Sequence, residues 1–255
     1  MEPFDPTKPN IARVWDYWLG GKDNFAADRE LAEKMLEVHP VSAQMARENR
    51  QFLGRAVGYA ANQGVRQFID IGAGLPTALN THDIARRVNP EALVAYVDND
   101  PVVISHARAL LASGPGVIAV PGDLRKPENL LTDAGLTNLI DLNQPTCVIM
   151  SAVLHFVDAE TAREVTAAFC DAIAPGSYLI ISIGTGSKSE RDKFTSAYTA
   201  APIFIHSTEE IASFFHDFEI LPPGVGPVPR WTGEPEPADV AVRTATFVGG
   251  VARKA

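Results

Sequence analysis

Three aspartates, Asp70, Asp98 and Asp123, each stand in or directly after a short apolar run. The first lies in Gln67-Phe68-Ile69-Asp70-Ile71-Gly72-Ala73-Gly74-Leu75-Pro76-Thr77. Phe68, Ile69 and Ile71 read as a buried strand, and Gly72 and Gly74 let the backbone turn sharply and approach a bound molecule. A carboxylate at the end of a buried strand is costly unless donors meet it. Asp70 therefore asks for donors from its own turn or from a ligand carrying an ammonium group. Asp98 lies 24 positions after Gly74, where an acidic side chain can accept both hydroxyls of a ribose. Val120-Pro121-Gly122-Asp123-Leu124 repeats the pattern. Asp123 can take the exocyclic amine of an adenine while Leu124 packs on the ring.

A dinucleotide fingerprint, Gly-x-Gly-x-x-Gly, would need glycine where Thr77 stands. Asp70 would also repel a pyrophosphate, and the three turns offer no phosphate-binding Lys or Arg. An NAD-linked oxidoreductase is thus the lesser reading. A cationic adenosine derivative bearing an amino acid suits Asp70 better.

The elements that must position these residues follow from the pattern of the chain. Residues 93–97, 117–120, 146–150 and 178–183 are short, apolar and rich in β-branched side chains, with helix-compatible stretches between most of them. Such alternation marks parallel βαβ units. Ligands of these sheets sit beyond the carboxyl ends of the strands, which is where Asp70, Asp98, Asp123 and Ser151 fall. Residues 1–62 read as a helical cap and 63–255 as the ligand-binding domain, together one structural unit. Asn24 is the expected cap of a helix over 25–38, and Phe52, Leu53, Ala56, Val57 and Ala60 recur at helical spacing. Asp100 before Pro101, Asp158, and Ser207 in the capping box Ser207-Thr208-Glu209-Glu210 are read as helix starts. A strand at 218–221, a proline-rich loop at 222–239 and a last strand at 240–248 complete the expectation.

Composition narrows the partners. The 255 residues are 46% hydrophobic and 21% charged, with a net charge of −9. A pI near 5.1 argues against a phosphate backbone as partner. Arg47, Arg50 and Arg55, with Glu48 among them, read as one solvated helix face. No apolar run approaches the roughly 20 residues that span a bilayer. Met1-Glu2-Pro3-Phe4-Asp5-Pro6 lacks the pattern of a signal peptide, so the expected location is the cytoplasm. Cys147 and Cys170 have no metal-ligand spacing and read as reduced core thiols; no metal is expected.

These motifs together resemble the class I S-adenosylmethionine-dependent methyltransferases over residues 65–248. The first family motif, an acid followed by Gly-x-Gly-x-Gly, is matched by Asp70, Gly72 and Gly74, with Ala73 between the glycines and Pro76 in place of the last. Asp98, followed by Asn99, corresponds to the ribose-binding acid and Gly122-Asp123-Leu124 to the adenine motif. Met150-Ser151-Ala152-Val153-Leu154-His155 corresponds to the segment that lines the methyl-donor site, where Ser151 and Ala152 would touch the donor. Pro175-Gly176-Ser177-Tyr178-Leu179 looks like the turn into the fifth strand. Arg13-Val14-Trp15-Asp16-Tyr17-Trp18-Leu19-Gly20-Gly21-Lys22-Asp23-Asn24-Phe25 resembles the opening of a group of actinobacterial methyltransferases long carried as a domain of unknown function.

The resemblance implies an α/β fold: a doubly wound, mostly parallel, seven-stranded Rossmann-like sheet with an antiparallel last strand and an N-terminal helical lid. It implies S-adenosyl-L-methionine as cofactor and S-adenosyl-L-homocysteine as product. Tyr17, Gly20, Gly21, Lys22 and Asn24 are then candidates to close over the methionine end of the donor. His155 is the candidate proton acceptor, His206 is read as structural, and Arg230 and Trp231 are candidate substrate contacts. The expected activity is methyl transfer to an oxygen, nitrogen or carbon of a small-molecule acceptor, with neither nucleic acid nor membrane as partner. A non-catalytic donor-binding or regulatory module is the alternative.

Overall fold

The computed structural model describes residues 5–77, 79–112, 114–235, 238–242 and 246–255. Four of the residues compared with a signal peptide, 1–4, two of the proline-rich loop, 236–237, and part of the expected last strand, 243–245, lie outside the described residues. The helices are α1 (Ile11–Trp18), α2 (Ala26–Val38), α3 (Ser42–Asn62), α4 (Thr81–Val88), α5 (Pro101–His106), α6 (Pro127–Leu131), α7 (Ala134–Leu139), α8 (Ala159–Ala172), α9 (Lys188–Ala197) and α10 (Thr208–Ser213). The strands are β1 (Gln67–Ile71), β2 (Leu93–Asp98), β3 (Val117–Pro121), β4 (Thr146–Ser151), β5 (Tyr178–Thr185), β6 (Glu219–Ile220), β7 (Gly226–Pro227) and β8 (Thr246–Arg253).

The sheet runs β3-β2-β1-β4-β5-β8-β6, with β7 pairing on β8. Strands β1 to β5 pair in parallel, and β8 is antiparallel to β5. This is the expected doubly wound α/β sheet with one strand more than the seven anticipated, the two-residue β7. Because successive side chains of a strand point to opposite faces, Phe68 joins the cluster under α3 and α4, whereas Ile69 and Ile71 join the one under α6, α7 and α8. Asp70 therefore shares the face of Phe68 and looks toward α3 and α4.

Residues 238–242 carry no strand, and β8 as described, Thr246–Arg253, runs past the expected end at 248. All eight residues of β5 are matched, from Thr185↔Thr246 to Tyr178↔Arg253. Seven of the eight β8 residues are buried, and a strand covered on both faces has no alternation to read.

Helix α3 buries Phe52, Leu53, Ala56, Val57 and Ala60 in the sheet's main cluster. It is thus part of the core layer, and the cap narrows to α1 and α2. These two helices share a separate apolar cluster, with Val14, Trp18, Leu31 and Met35, to which Ala197 of α9 and the following Tyr198 also belong. The lid is therefore built from both halves of the chain.

Two expectations on charged residues change. Asn24 does not cap α2; Phe25 occupies that position, and its N–H donates to Asp28 Oδ2 at 2.8 Å. The arginines of α3 do not form one solvated face. Arg47 is exposed, but Arg55 donates to the carbonyls of Trp231 at 2.9 Å and Val228 at 2.7 Å. The proline-rich loop is thereby fastened to α3, and Trp231, 1% exposed, packs edge-on against Phe52 and Tyr59. Among the described residues no helix is long and apolar enough to cross a membrane.

Trp231→Ala is expected to lower stability by about 3–5 kcal/mol, the usual cost of emptying a buried aromatic site. Urea unfolding measures it, and an unchanged midpoint would contradict the packing of this loop on α3.

Candidate active site

The carboxyl ends of β1 to β4 open onto one cleft of about 1200 Å³. Asp70, Gly72, Ala73, Gly74, Asp98, Asn99, Gly122, Asp123, Leu124, Ser151 and Ala152 all stand in its wall. Strand ends read separately along the chain thus converge on one site.

Asp70 is 4% exposed. Burial pushes its carboxyl above the usual range, and two contacts work against that shift: a 2.6 Å hydrogen bond from the Thr81 hydroxyl and the charge of Arg50. Arg50, from α3, also donates to Thr77 Oγ1 at 2.6 Å and to the Leu79 carbonyl at 2.7 Å. Burial opposes its charge, and Asp70 is the largest influence supporting it.

Asp98 accepts from Gly74 N at 3.0 Å and from Asp100 N at 2.9 Å, so it ties the turn after β1 to the turn after β2. Burial still dominates and raises its carboxyl to about 6. Asp123 behaves in the opposite way. Arg125 closes on both of its oxygens, with Nη2 at 2.6 Å, and holds its pKa low. A basic residue does therefore follow the third turn, but it is spent on Asp123.

Gly72 and Gly74 have φ of 70° and 67°, values that L side chains rarely adopt. At Gly72 a Cβ would also collide with Val153. Pro76 fits because the chain does not enter a helix at once. Helix α4 begins only at Thr81, after a loop stitched by Arg50, Thr77 and Asn80. After β4, Ala152 takes a left-handed conformation with φ 57°. Such strain in a non-glycine residue is typical of functional sites.

Two residues of the wall were not singled out from the sequence. Asn49 of α3 donates to Ser151 Oγ at 3.1 Å, while its Oδ1 is buried without a hydrogen-bond partner; Arg50 Nε is likewise buried and unpartnered. A signal for Asn49 existed, since it interrupts the apolar stripe Met45, Phe52, Ala56 on one helix face.

The N-terminal block contributes through a different face than expected. Asn10, Trp15, Asp16 and Leu19 reach the cleft; Tyr17, Gly20, Gly21, Lys22 and Asn24 do not line it. Tyr17 donates to Glu33 Oε1 at 2.9 Å. Asp16, 5% exposed, receives the Asp23 N–H at 2.9 Å and the Asn24 amide at 2.8 Å. Nearby, Asp28 accepts from Asn10 N and from Arg13 Nε, each at 2.8 Å, which joins α1 to α2. Gly21, Asp23 and Asn24 thus position Asp16 and the inner face of α1.

His155 lies outside the cleft wall. It is 7% exposed, and burial lowers its pKa to about 3, so the ring is held neutral and is poorly suited to take a proton. His206 Nε2 donates to the carbonyls of Leu154 and Val157, which agrees with a structural role. Arg230 turns to the Val240 carbonyl at 3.1 Å and Trp231 is in the core, so neither lines the cleft. Among the described residues no group of three or more His, Cys, Asp or Glu is placed to hold a metal.

The donor set fits an adenosine ligand with an amino-acid tail. Acceptors stand at three successive strand ends, and a buried, unpartnered acceptor and donor lie side by side on α3.

Residues 1–255 match the model of a family described as S-adenosyl methyltransferase. A candidate methyltransferase from Thermobifida fusca is 37% identical, with a TM-score of 0.89, over 97% of this chain and 96% of that one. A DUF574-family protein from Streptomyces avermitilis is 36% identical, with a TM-score of 0.91, over 98% and 99% of the two chains. Magnesium protoporphyrin IX methyltransferase from Synechocystis, crystallised with S-adenosylhomocysteine, shares the fold at 14% identity and a TM-score of 0.56, over 95% and 93%. No curated protein matches.

Gly20 and Gly21 are expected to tolerate alanine unequally. Gly20 has φ 83° and open space around it, so Gly20→Ala should cost about 1–2 kcal/mol of backbone strain. A Cβ at Gly21 would fall on the Asp16 carboxylate, and Gly21→Ala should lower the melting temperature further. Equal losses in thermal unfolding would contradict the role given to Asp16.

Proposed function

The chain belongs to the S-adenosyl methyltransferase family, and from that premise we propose that it transfers a methyl group to an oxygen, nitrogen or carbon of a small-molecule acceptor. It is an S-adenosylmethionine-dependent enzyme. The carrying observation is the buried, unpartnered pair Asn49 Oδ1 and Arg50 Nε beside Asp70 in the wall of the cleft.

In this reading Asp70 and Asn49 Oδ1 accept from the ammonium of the donor's amino-acid tail, and Arg50 donates to its carboxylate. Asp98 takes the ribose hydroxyls, with Asn99 beside it. Asp123 keeps lone pairs free for the adenine amine, with Gly122 and Leu124 against the ring. Gly72, Ala73 and Gly74 admit the ligand to the backbone, while Ser151 and Ala152 face the methyl-bearing end. Gly21 and Asn24 act at one remove, by holding Asp16, whereas Tyr17 and Gly20 contribute only to the turn and the α1–α2 contact.

When bound, the donor supplies a methyl carbon made electrophilic by a positively charged sulfur. The protein's part is alignment and exclusion of water, and alignment alone can supply a large share of such a rate enhancement. A neutral His155 is consistent with a transfer that needs no strong base. The cleft exceeds the roughly 300–1000 Å³ of a pocket for one drug-sized ligand, which leaves room for an acceptor beside the donor. An acidic chain and a helical lid favour a small acceptor over nucleic acid.

Turnover of S-adenosylmethionine to S-adenosylhomocysteine across a panel of hydroxylated aromatics and amines tests the activity. Binding without turnover on any acceptor would favour the non-catalytic module.

Affinity for S-adenosylhomocysteine should depend on pH in a known direction. Ribose hydroxyls favour the ionised form of Asp98, whose pKa is about 6. Affinity is therefore full above that value and falls as the pH drops through it. Calorimetry should show Asp98→Asn weaker by about tenfold above pH 6 and without this slope, and Arg50→Met weaker by about tenfold throughout. Unchanged affinity in either variant would remove that residue from the donor site.

A further inference from the structure

Trp15 and Phe156 line the large cleft and also bound a second cavity of about 90 Å³. Phe194 and Phe247 continue its wall, together with His155 and Tyr198. The walls come from α1, from the segment after β4, from α9 and its exit, and from β8. The cavity therefore exists only where the lid meets the sheet. Its aromatic rings pack on one another: His155 lies tilted 4.2 Å from Phe156 and edge-on 6.0 Å from Phe247, and Phe194 stacks on Tyr198 at 5.4 Å.

Two residues of this wall each carry a polar atom without a partner. His155 Nδ1 and the Tyr198 hydroxyl are buried without a hydrogen-bond partner, in residues 7% and 5% exposed. Buried polar groups are normally paired, and an exception needs an explanation. Burial keeps both side chains neutral, lowering the imidazole and raising the phenol. Among the described residues, no Asp, Glu, Lys or Arg lines the cavity. A charged acceptor head would therefore enter without a counter-charge, at a high desolvation cost. At about 90 Å³ the cavity is smaller than the apolar cavity of about 150 Å³ that accommodates benzene, so it admits no more than a single ring and excludes a fused system.

Resting on the reading of the large cleft as the donor site, we propose that this cavity is the acceptor subsite. It takes a single uncharged aromatic ring carrying hydroxyl or amino groups, which pair with His155 Nδ1 and the Tyr198 hydroxyl. The rest of the acceptor extends past Trp15 and Phe156 into the wider cleft. Ring-on-ring contact supplies the affinity and the two polar atoms supply the selection.

Phenol, aniline and benzoate, titrated into protein saturated with S-adenosylhomocysteine and followed by ligand-observed NMR, provide the test. Phenol and aniline are expected to bind saturably, and benzoate at least about tenfold more weakly. Gly184 also lines the cavity, and a Cβ there would meet the Phe247 ring at an ordinary 3.5 Å. Gly184→Val should therefore fill the space and abolish phenol binding, with S-adenosylhomocysteine affinity kept within about twofold as a check on folding. Tyr198→Phe, which removes one oxygen, should weaken phenol by at least about threefold; if Gly184→Val does not fold, this variant decides. Phenol binding that is absent, or that survives either substitution unchanged, overturns the subsite while leaving the donor reading intact. Failure of the wild-type protein to bind S-adenosylhomocysteine would instead overturn the donor reading, and the subsite with it.

Discussion

Asp70 is a carboxylate on the core face of the central strand, and the elements around it are placed as if to make that burial tolerable. Removing a carboxylate from water costs several kcal/mol unless donors and an opposite charge replace the solvent. The Thr81 hydroxyl supplies the donor and Arg50 the charge. Thr81 opens α4 and Arg50 belongs to α3, so one buried charge brings two helices to the end of β1. The loop between Gly74 and Thr81 is held by the same arginine, because Arg50 donates to Thr77 and Leu79 while its charge acts on Asp70.

From that arrangement the cleft acquires its polar wall. With α3 laid along the sheet, Asn49 reaches Ser151 at the end of β4, one strand away from Asp70. On the other side of β1, Asp98 bridges the first two turns through the N–H groups of Gly74 and Asp100. The strand ends are thus linked to one another through carboxylates and backbone donors before any ligand arrives. Acceptors fixed in this way by the fold need not reorganise when a ligand enters, which lowers the cost of binding.

The lid obeys a second pair of buried acids. Asp28 gathers the Asn10 N–H and the Arg13 guanidinium, and Asp16 gathers the turn at Asp23 and Asn24. Their hydrogen bonds set the angle between α1 and α2, while the apolar cluster that includes Ala197 and Tyr198 seats both on α9. Trp15 is consequently presented to both cavities at once. Methyl transfer asks for a dry, aligned encounter between two molecules, and a lid anchored at two distant points of the chain is suited to that demand.

Local patterns carried much of this protein in the sequence itself. Apolar runs punctuated by glycine, and acids at their ends, marked β1 to β4 and placed Asp70, Asp98, Asp123 and Ser151 on one edge, because strand ends depend on a few adjacent residues. Capping signals at Asp100, Asp158 and Ser207 were equally local and hold in the structure. Orientation was the part that sequence could not supply. Which face of α3 turns inward decides that the charge of Arg50 acts on Asp70 while Arg47 meets solvent, and which face of α1 turns inward decides that Trp15 and Asp16 line the cleft while Tyr17 does not. Trp231 looked like a loop contact until Phe52 and Tyr59 drew it into the core. Each of these outcomes depends on packing between segments far apart in the chain, where the burial of a whole face outweighs the preference of any single residue.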